Sequence, residues 1–181
     1  MRVLGIDPGS NATGFGVVER QAGRLVWLAH GTLRAPRGAT LAQRLATLHD
    51  GLAEAISMHR PDVAAVERVF VASNPHAALI LGQARGAALV AVAAAGLPVV
   101  EYAATEIKRA IATTGRARKA QVQRMVARLL ELSSAPQTDA ADALAAAICH
   151  ANAGPLAGLG TTARRGGRRR VRSLPRARVA P

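Results

Sequence analysis

Four acidic residues of this chain of 181 residues are placed where their carboxylates could act together. Asp7 ends an apolar segment just before a Pro-Gly turn, and Glu67 lies in the apolar segment AAVERVF. Asp139 and Asp142 are three residues apart in TDAADALAAAI, a spacing that puts both side chains on one face of a helix, about 5–6 Å apart at Cβ. Carboxylates are the hard oxygen ligands that Mg²⁺ prefers. Two such ions about 3.5–4 Å apart can activate water for in-line displacement at phosphorus, so the set predicts phosphodiester hydrolysis without a covalent enzyme intermediate.

Each acid taken alone also has a structural explanation. Asp7 could cap the turn that follows it, Asp139 could interact with the dipole of a helix N-terminus, and Asp142 could be a solvated carboxylate among alanines. Glu67 is harder to explain in this way, because an acid among apolar strand neighbours needs a partner. It is the whole set that favours a metal site.

The hydrophobic patterns around these acids predict a layered α/β domain. Strands are expected at residues 1–7, 13–20, 24–33, 62–69 and 97–102. Helices are expected at residues 40–59, 74–95, 105–112, 119–132 and 138–151. Three strands followed by alternating helices and strands are typical of a sheet covered by helices. Ligands collect at the carboxyl ends of strands in such sheets, where Asp7 and Glu67 are expected to lie.

The net charge of +13 is unevenly distributed. Residues 163–181 hold eight arginines and no acid, and residues 108–128 contain seven basic residues and no acid. A basic stretch within the folded part favours a polyanion partner, although a solvated helical face would have the same composition. We expect a folded domain at residues 1–152 and a basic tail at residues 153–181 that lacks periodicity and is disordered.

Several classes of protein are disfavoured by the composition. The longest apolar stretch, residues 86–100, is interrupted by Gly96 and Pro98 and is shorter than the roughly 20 residues that span a bilayer. No basic segment precedes an apolar one at the N-terminus, so no secretory signal and no membrane partner are expected, and a cytoplasmic location is predicted. The single cysteine, Cys149, excludes an intramolecular disulfide, and it is expected to pack with His150 rather than to bind metal.

Five ordered segments between about residues 2 and 150 resemble the successive motifs of the RuvC family of Holliday junction resolvases. They are LGIDPGSNATGFGVV, AAVERVF, LGQARGAAL, VVEYAATEIKRAIATTGRARKAQV and TDAADALAAAICH. The resemblance leaves out only the tail. It implies a ribonuclease-H-like α/β fold, a five-stranded mixed sheet with its second strand antiparallel, flanked by helices.

The resemblance also implies roles for individual residues. Two Mg²⁺ ions, or Mn²⁺ in their place, would be coordinated by the four acids Asp7, Glu67, Asp139 and Asp142. Lys108 and Lys119 would be catalytic lysines that contact the DNA near the scissile phosphate. Phe70 would be an aromatic residue that stacks on an unpaired base. Further DNA contacts are expected from Arg68, Arg116 and Arg118.

The activity and partners that the resemblance implies are specific. Members nick two strands of like polarity symmetrically across four-way junction DNA, leaving 5′-phosphate and 3′-hydroxyl ends, and they act as homodimers with the branch-migration proteins RuvA and RuvB. The helix expected at residues 74–95 is apolar around much of its circumference, and Gly82 and Gly86 would allow close approach of a second helix. Full burial of this helix within one monomer is the alternative.

Three other functions remain open from the residues alone. The actin, sugar-kinase and heat-shock chaperone class begins with a similar Asp-x-Gly turn, but it binds ATP between two domains, for which 181 residues leave no room. A ribonuclease-H-like nuclease acting on RNA would need the same acids. A catalytically inactive nucleic-acid-binding module is disfavoured by the presence of all four.

Overall fold

The computed structural model describes residues 1–68, 74–112 and 118–153. The strands are β1 (Arg2–Asp7), β2 (Ala12–Gln21), β3 (Arg24–Arg34), β4 (Val63–Glu67) and β5 (Val99–Tyr102). The helices are α1 (Leu41–His59), α2 (Pro75–Ala94), α3 (Ala104–Ala112), α4 (Lys119–Leu129) and α5 (Thr138–Ala153). Every predicted element is therefore present, with its ends shifted by at most two or three residues.

The five strands form one mixed sheet in the order β3-β2-β1-β4-β5. β2 runs antiparallel to β1 and β3, whereas β1, β4 and β5 are parallel. Ala22 and Gly23 join β2 to β3 with φ angles of 46° and 84°, the left-handed pair that a two-residue hairpin turn requires. The antiparallel second strand expected from the family resemblance is confirmed.

Helices cover both faces of the sheet, and side chains alternate between two cores. One core joins the sheet to α3, α4 and α5, with Val3, Ala65 and Leu144 among its fully buried members. The other joins it to α1 and α2, with Leu4 and Leu52 among its members. Because successive strand residues face opposite sides, the face on which an acid at a strand end lies is set by this alternation.

Helix α4 is shorter than its hydrophobic pattern predicts, since it ends at Leu129 and not at residue 132. Glu131 adopts a left-handed φ of 53°. Its N–H donates to the carbonyl of Arg128 at 3.3 Å, and the N–H of Leu132 donates to that of Ala127 at 2.9 Å. This pair of bonds is the Schellman arrangement that stops a helix, and a periodicity of apolar residues does not reveal it.

Helix α2 packs on the molecule along only one narrow stripe. Its buried residues are Ala84, Ala88, Ala91 and Val92. Leu79 and Val90 are 62% and 59% exposed, so full burial of this helix within one monomer is wrong. By length and composition alone α2 is long and apolar enough to cross a membrane, and most of its residues are not buried within the described part of the chain. The apolar stretch at residues 86–100 covers only the second half of this helix.

Candidate active site

Two of the acids come from neighbouring parallel strands. Ile6 of β1 pairs with Val66 of β4, so the residues that follow them, Asp7 and Glu67, lie side by side at the carboxyl edge, one strand spacing of about 4.8 Å apart. Both side chains face α5. Sixty residues of chain separate the two acids, and the β1–β4 pairing brings them together.

The other two acids are brought to this edge by the close packing of α5 on β1 and β2. A Cβ added at Gly5 would collide with the carbonyl oxygen of Ala143, and one at Gly14 would collide with that of Asp139. Only glycine lets the helix backbone approach so closely. The alanines of α5 fill the rest of this contact, since 11 of its 16 residues are buried. Glycines at strand positions that face an alanine-rich helix were the overlooked signal.

The loop that follows Asp7 is held by a buried hydroxyl that the sequence patterns did not identify. Thr13 is 1% exposed. Its Oγ1 donates to the carbonyl of Gly9 at 3.0 Å and accepts from the N–H of the same residue at 3.3 Å. The Pro-Gly turn is thereby tied to β2, which restricts where the carboxylate of Asp7 can point.

Three acids and both predicted lysines line one cavity of about 190 Å³. The polar lining consists of Asp7, Glu67, Asp142, Lys108 and Lys119, and the apolar lining of Ala104, Ile107, Val122 and Ala145. Lys119 Nζ lies 3.5 Å from Oδ2 of Asp142. Asp139 is outside this lining, one helical turn before Asp142, and its charge acts on both Asp7 and Asp142.

Burial and mutual repulsion make the acids reluctant to ionise. Burial first, and then the charges of Asp142, Glu67 and Asp139, together raise the pKa of Asp7 to about 7, against the opposing effect of Lys119. The pKa values of Glu67 and Asp142 are also raised, first by burial, while Lys108 and Lys119 lower both. Carboxylates crowded in this way are poised for a cation that would neutralise them.

The donor set fits a hard divalent cation that completes its coordination with water and substrate. Among the described residues, no three His, Cys, Asp or Glu side chains converge as a ready cage for one ion. Mg²⁺ is usually held by one or two carboxylates together with waters and phosphate oxygens. A closed cage of the kind that structural zinc occupies would need imidazole or thiolate ligands, and the cavity lining contains none.

The predicted DNA contacts have different surroundings. Lys108 lines the cavity, whereas Arg118 directly precedes α4, is exposed, and makes no side-chain cap. Arg68 Nε lies 3.9 Å from Oε2 of Glu101, which also pairs with Arg85. Part of the Arg68 charge is therefore balanced within the protein. Phe70 and Arg116 lie outside the described residues.

The histidine and cysteine near the end of α5 belong to the protein interior. Cys149 is packed in the core under α3, α4 and α5. The ring Nδ1 of His150 lies 2.8 Å from the hydroxyl of Tyr102 in a buried hydrogen bond. The His150 bond links α5 to β5, and Cys149 fills the core, in agreement with the packing role expected of both residues.

Comparison with known proteins agrees with this geometry. The family model described as crossover junction endodeoxyribonuclease RuvC matches residues 3–150. RuvC of Cupriavidus taiwanensis is 54% identical over 158 residues, 87% of each chain. RuvC of Bordetella parapertussis is 53% identical over 177 residues, 96% of this chain and 97% of the relative, so this likeness extends into the tail, which the five motifs leave out.

A solved structure has the same architecture. Thermus thermophilus RuvC in complex with a Holliday junction substrate superposes with a TM-score of 0.78 at 37% identity, covering 83% of this chain and 93% of that one. RuvC-family nucleases depend on divalent metal ions, as the crowded carboxylates at the sheet edge would require. The chain belongs to the RuvC family of crossover junction endodeoxyribonucleases.

Proposed function

We propose that this chain resolves Holliday junctions by metal-dependent hydrolysis of a phosphodiester in each of two strands. The observation that carries the proposal is the cavity itself, where three carboxylates meet Lys108 and Lys119. These two are the only lysines of the chain, whose other basic residues are all arginines. A lysine provides a compact charge on a flexible stem, which suits a group that must follow a phosphate through a reaction.

The acids would hold the metal and the lysines the phosphate. Asp7, Glu67, Asp139 and Asp142 are proposed to coordinate two Mg²⁺ ions, with Mn²⁺ as a substitute. When bound, the metal supplies an activated water and stabilises the leaving oxygen. The apolar walls at Ile107 and Val122 exclude bulk water and strengthen the electrostatic interactions in the cavity.

The ion pair between Lys119 and Asp142 suggests how this lysine would contribute. Lys119 partly compensates the charge of Asp142, and its side chain is 75% exposed. With a divalent cation held by the carboxylates, the ammonium of Lys119 would be available to contact the scissile phosphate. Lys108 is proposed to make the same contact from α3. Arg68, Arg116 and Arg118 would contact the backbone of the junction, and Phe70 would stack on an unpaired base.

Symmetric cleavage requires two active sites, and we propose that α2 joins two copies of the chain. Its apolar face is exposed at Leu79 and Val90, and a Cβ added at Gly82 or Gly86 would meet nothing within 4 Å. A self-complementary apolar face of this kind is typical of a twofold dimer. A second copy would cover it in place of lipid, consistent with a cytoplasmic enzyme.

The remaining features of the reaction follow from this assembly. We propose paired nicks in strands of like polarity that leave 5′-phosphate and 3′-hydroxyl ends, with RuvA and RuvB delivering the junction. Residues 1–152 would form the catalytic domain, although α5 continues to Ala153. The arginines of residues 153–181 would add phosphate binding that weakens with salt.

The decisive experiment compares a synthetic four-way junction, a linear duplex and an RNA–DNA hybrid, each with Mg²⁺ or with EDTA. We expect paired, symmetric nicks on the junction with Mg²⁺ only. Equal cleavage of the hybrid would favour the RNA-directed alternative and refute the resolvase. Asp142→Asn should reduce nicking more than about 100-fold, because even outer-shell partners of a metal contribute 10–100-fold, and it should still bind the junction in EDTA.

A further inference from the structure

A second polar cavity lies on the other side of α5 from the acids. It has a volume of about 300 Å³ and is lined by His30, Gly31, Thr32, Arg34, Gln137 and Ala140. We call it the β3 pocket, because four of these six residues belong to that edge strand. No acidic side chain is part of its lining, in contrast to the cavity that holds Asp7 and Glu67.

The sheet register places the β3 pocket close to the proposed metal ligands. Asp7 pairs with Gly14, and Gly14 pairs with Thr32. Thr32 is therefore two strand spacings, about 10 Å, from Asp7. Directly paired residues share a face, and the missing Cβ of Gly14 points at α5. Thr32 thus lies on the same sheet face as Asp7, and the first turns of α5 separate the pocket from the acidic cavity.

The pocket contains hydrogen-bonding groups without a partner. Among the described residues, neither Nδ1 of His30 nor Oγ1 of Thr32 has a hydrogen bond, although both atoms are buried. Buried polar atoms are normally satisfied, by protein, water or a ligand. Arg34 donates through Nη2 to Oε1 of Gln137 at 3.0 Å, which orients the guanidinium and leaves its other N–H groups available. A hydroxyl, an imidazole and an oriented guanidinium suit an anionic oxygen acceptor.

We propose that the β3 pocket binds a backbone phosphate of the junction DNA next to the cleavage site. Arg34 would make the charged contact, with Thr32 and His30 donating to the same group. The class of ligand follows from the position of the pocket, which lies on the same face of the sheet as the acidic cavity. A DNA strand that enters that cavity must continue past α5 on one side or the other. The proposal rests on the proposed junction-cleaving function, but it concerns binding and not the cleavage step.

The first test is the salt dependence of junction binding, measured in EDTA so that no cleavage occurs. The slope of log K against log salt is negative, and losing one phosphate contact decreases its magnitude by about 0.9. We expect this decrease for Arg34→Ala. The control is Arg24→Ala, which removes the same charge from the opposite end of β3, about 30 Å away, and should leave the slope unchanged. Equal slopes for the two variants would overturn the proposal.

The second test locates the phosphate. Single neutral methylphosphonates are placed at successive positions around the cut, and binding is measured for wild type, Arg34→Ala and Thr32→Val, the last of which keeps the β-branched shape. At one position the methylphosphonate should weaken junction binding by the wild type. The same methylphosphonate should not weaken binding by Arg34→Ala any further, because that variant already lacks the contact. Additive losses at every position would show that Arg34 acts only through its general field and would refute the contact. Failure of the wild type to cleave junctions would instead refute the proposed function, whatever these binding data show.

Discussion

Helices α2 and α5 are built from similar residues, since each contains eight alanines, yet they are packed in opposite ways. α5 has 11 of 16 residues buried, and α2 has four of 20. The cause lies in their neighbours: α5 lies against strands that provide glycines at the contact, while the glycines of α2 face open space. A helix of small residues is thus buried where it packs against strands that also carry small residues, and it stays exposed where no element packs against it.

The different burial of α2 and α5 suits the two helices to different roles. The backbone of α5 is pressed onto β1 and β2, so Asp139 and Asp142 have little freedom relative to Asp7. Catalytic groups need this kind of precision, because small displacements of reacting groups are costly. α2 keeps an apolar face with Leu79 and Val90 exposed, which makes it available to a partner. Substitutions at the two helices should therefore have different consequences, for cleavage at α5 and for assembly at α2.

The largest effect is expected where α5 meets β2. Gly14→Ala places a methyl group against the backbone of Asp139, which must shift, and we expect junction nicking to fall more than about 100-fold. Circular dichroism and thermal unfolding would show whether the fold persists. The control is Gly51→Ala, whose Cβ would meet the Leu33 side chain at 2.9 Å on the opposite face of the sheet. If Gly14→Ala cleaved at the wild-type rate, α5 would not be positioned by this contact.

The apolar face of α2 gives the next effect. Leu79→Glu introduces a charge at a residue that is 62% exposed in the monomer. We expect it to weaken the dimer about 10–100-fold, measured by sedimentation across concentration, because the twofold axis brings two such charges into one interface. Met58→Glu, at an equally exposed residue of α1, is the matched control. A dimer unaffected by Leu79→Glu would exclude this face of α2 as the interface.

The crowded acids predict a pH-dependent stability in the absence of metal. The pKa of Asp7 is raised from 3.8 to about 7 in the folded chain, so between these values the folded state holds the proton more tightly and stability falls as pH rises. Asp7→Asn removes this penalty, which is at most about 4 kcal/mol. The melting temperature of the metal-free variant at pH 8 should exceed that of wild type by several degrees, and the difference should shrink toward pH 4.

Mg²⁺ provides the control for that experiment. It should raise the melting temperature of wild type at pH 8 by binding the folded state, and it should stabilise Asp7→Asn less. If the melting temperature of the metal-free wild type were constant between pH 4 and pH 8, the raised pKa of Asp7 would be contradicted.

The smallest effect is expected at a glycine of α2. Gly82→Ala meets no atom within 4 Å in the monomer. Alanine stabilises a helix relative to glycine by about 0.5–1 kcal/mol. In the monomeric Leu79→Glu background, Gly82→Ala should therefore raise the free energy of unfolding by that amount. In the dimer the same methyl group would stand between close helices and offset the gain. An identical gain in both backgrounds would place Gly82 outside the interface.

Much of the fold could be predicted from local patterns. Alternation and helical periodicity gave each element its position, because burial of one face repeats every two residues in a strand and every 3.6 in a helix. The ends were less predictable. The left-handed Glu131 that stops α4 has no signature of the kind that glycine provides at Gly96 after α2. The strand order was an implication of the family resemblance and not of periodicity.

The candidate site divides in the same way. The residue types and the spacing of Asp139 and Asp142 could be recognised from the sequence, since neighbours on a helix depend only on its geometry. Bringing Glu67 beside Asp7 depends on the β1–β4 pairing, a contact between distant parts of the chain. Arg68 was predicted only as a DNA contact, and its ion pair with Glu101 became visible once β4 and β5 were adjacent.

Residue types and local patterns were enough to identify the available chemistry: four carboxylates, two lysines and many arginines, together with the elements that carry them. The tertiary structure decided how they are used. It placed α5 against Gly5 and Gly14, left the apolar face of α2 open, and formed the β3 pocket beside the acids. The physical reason is that periodicity and composition are local properties, whereas pairing, close approach and burial depend on residues far apart in the chain.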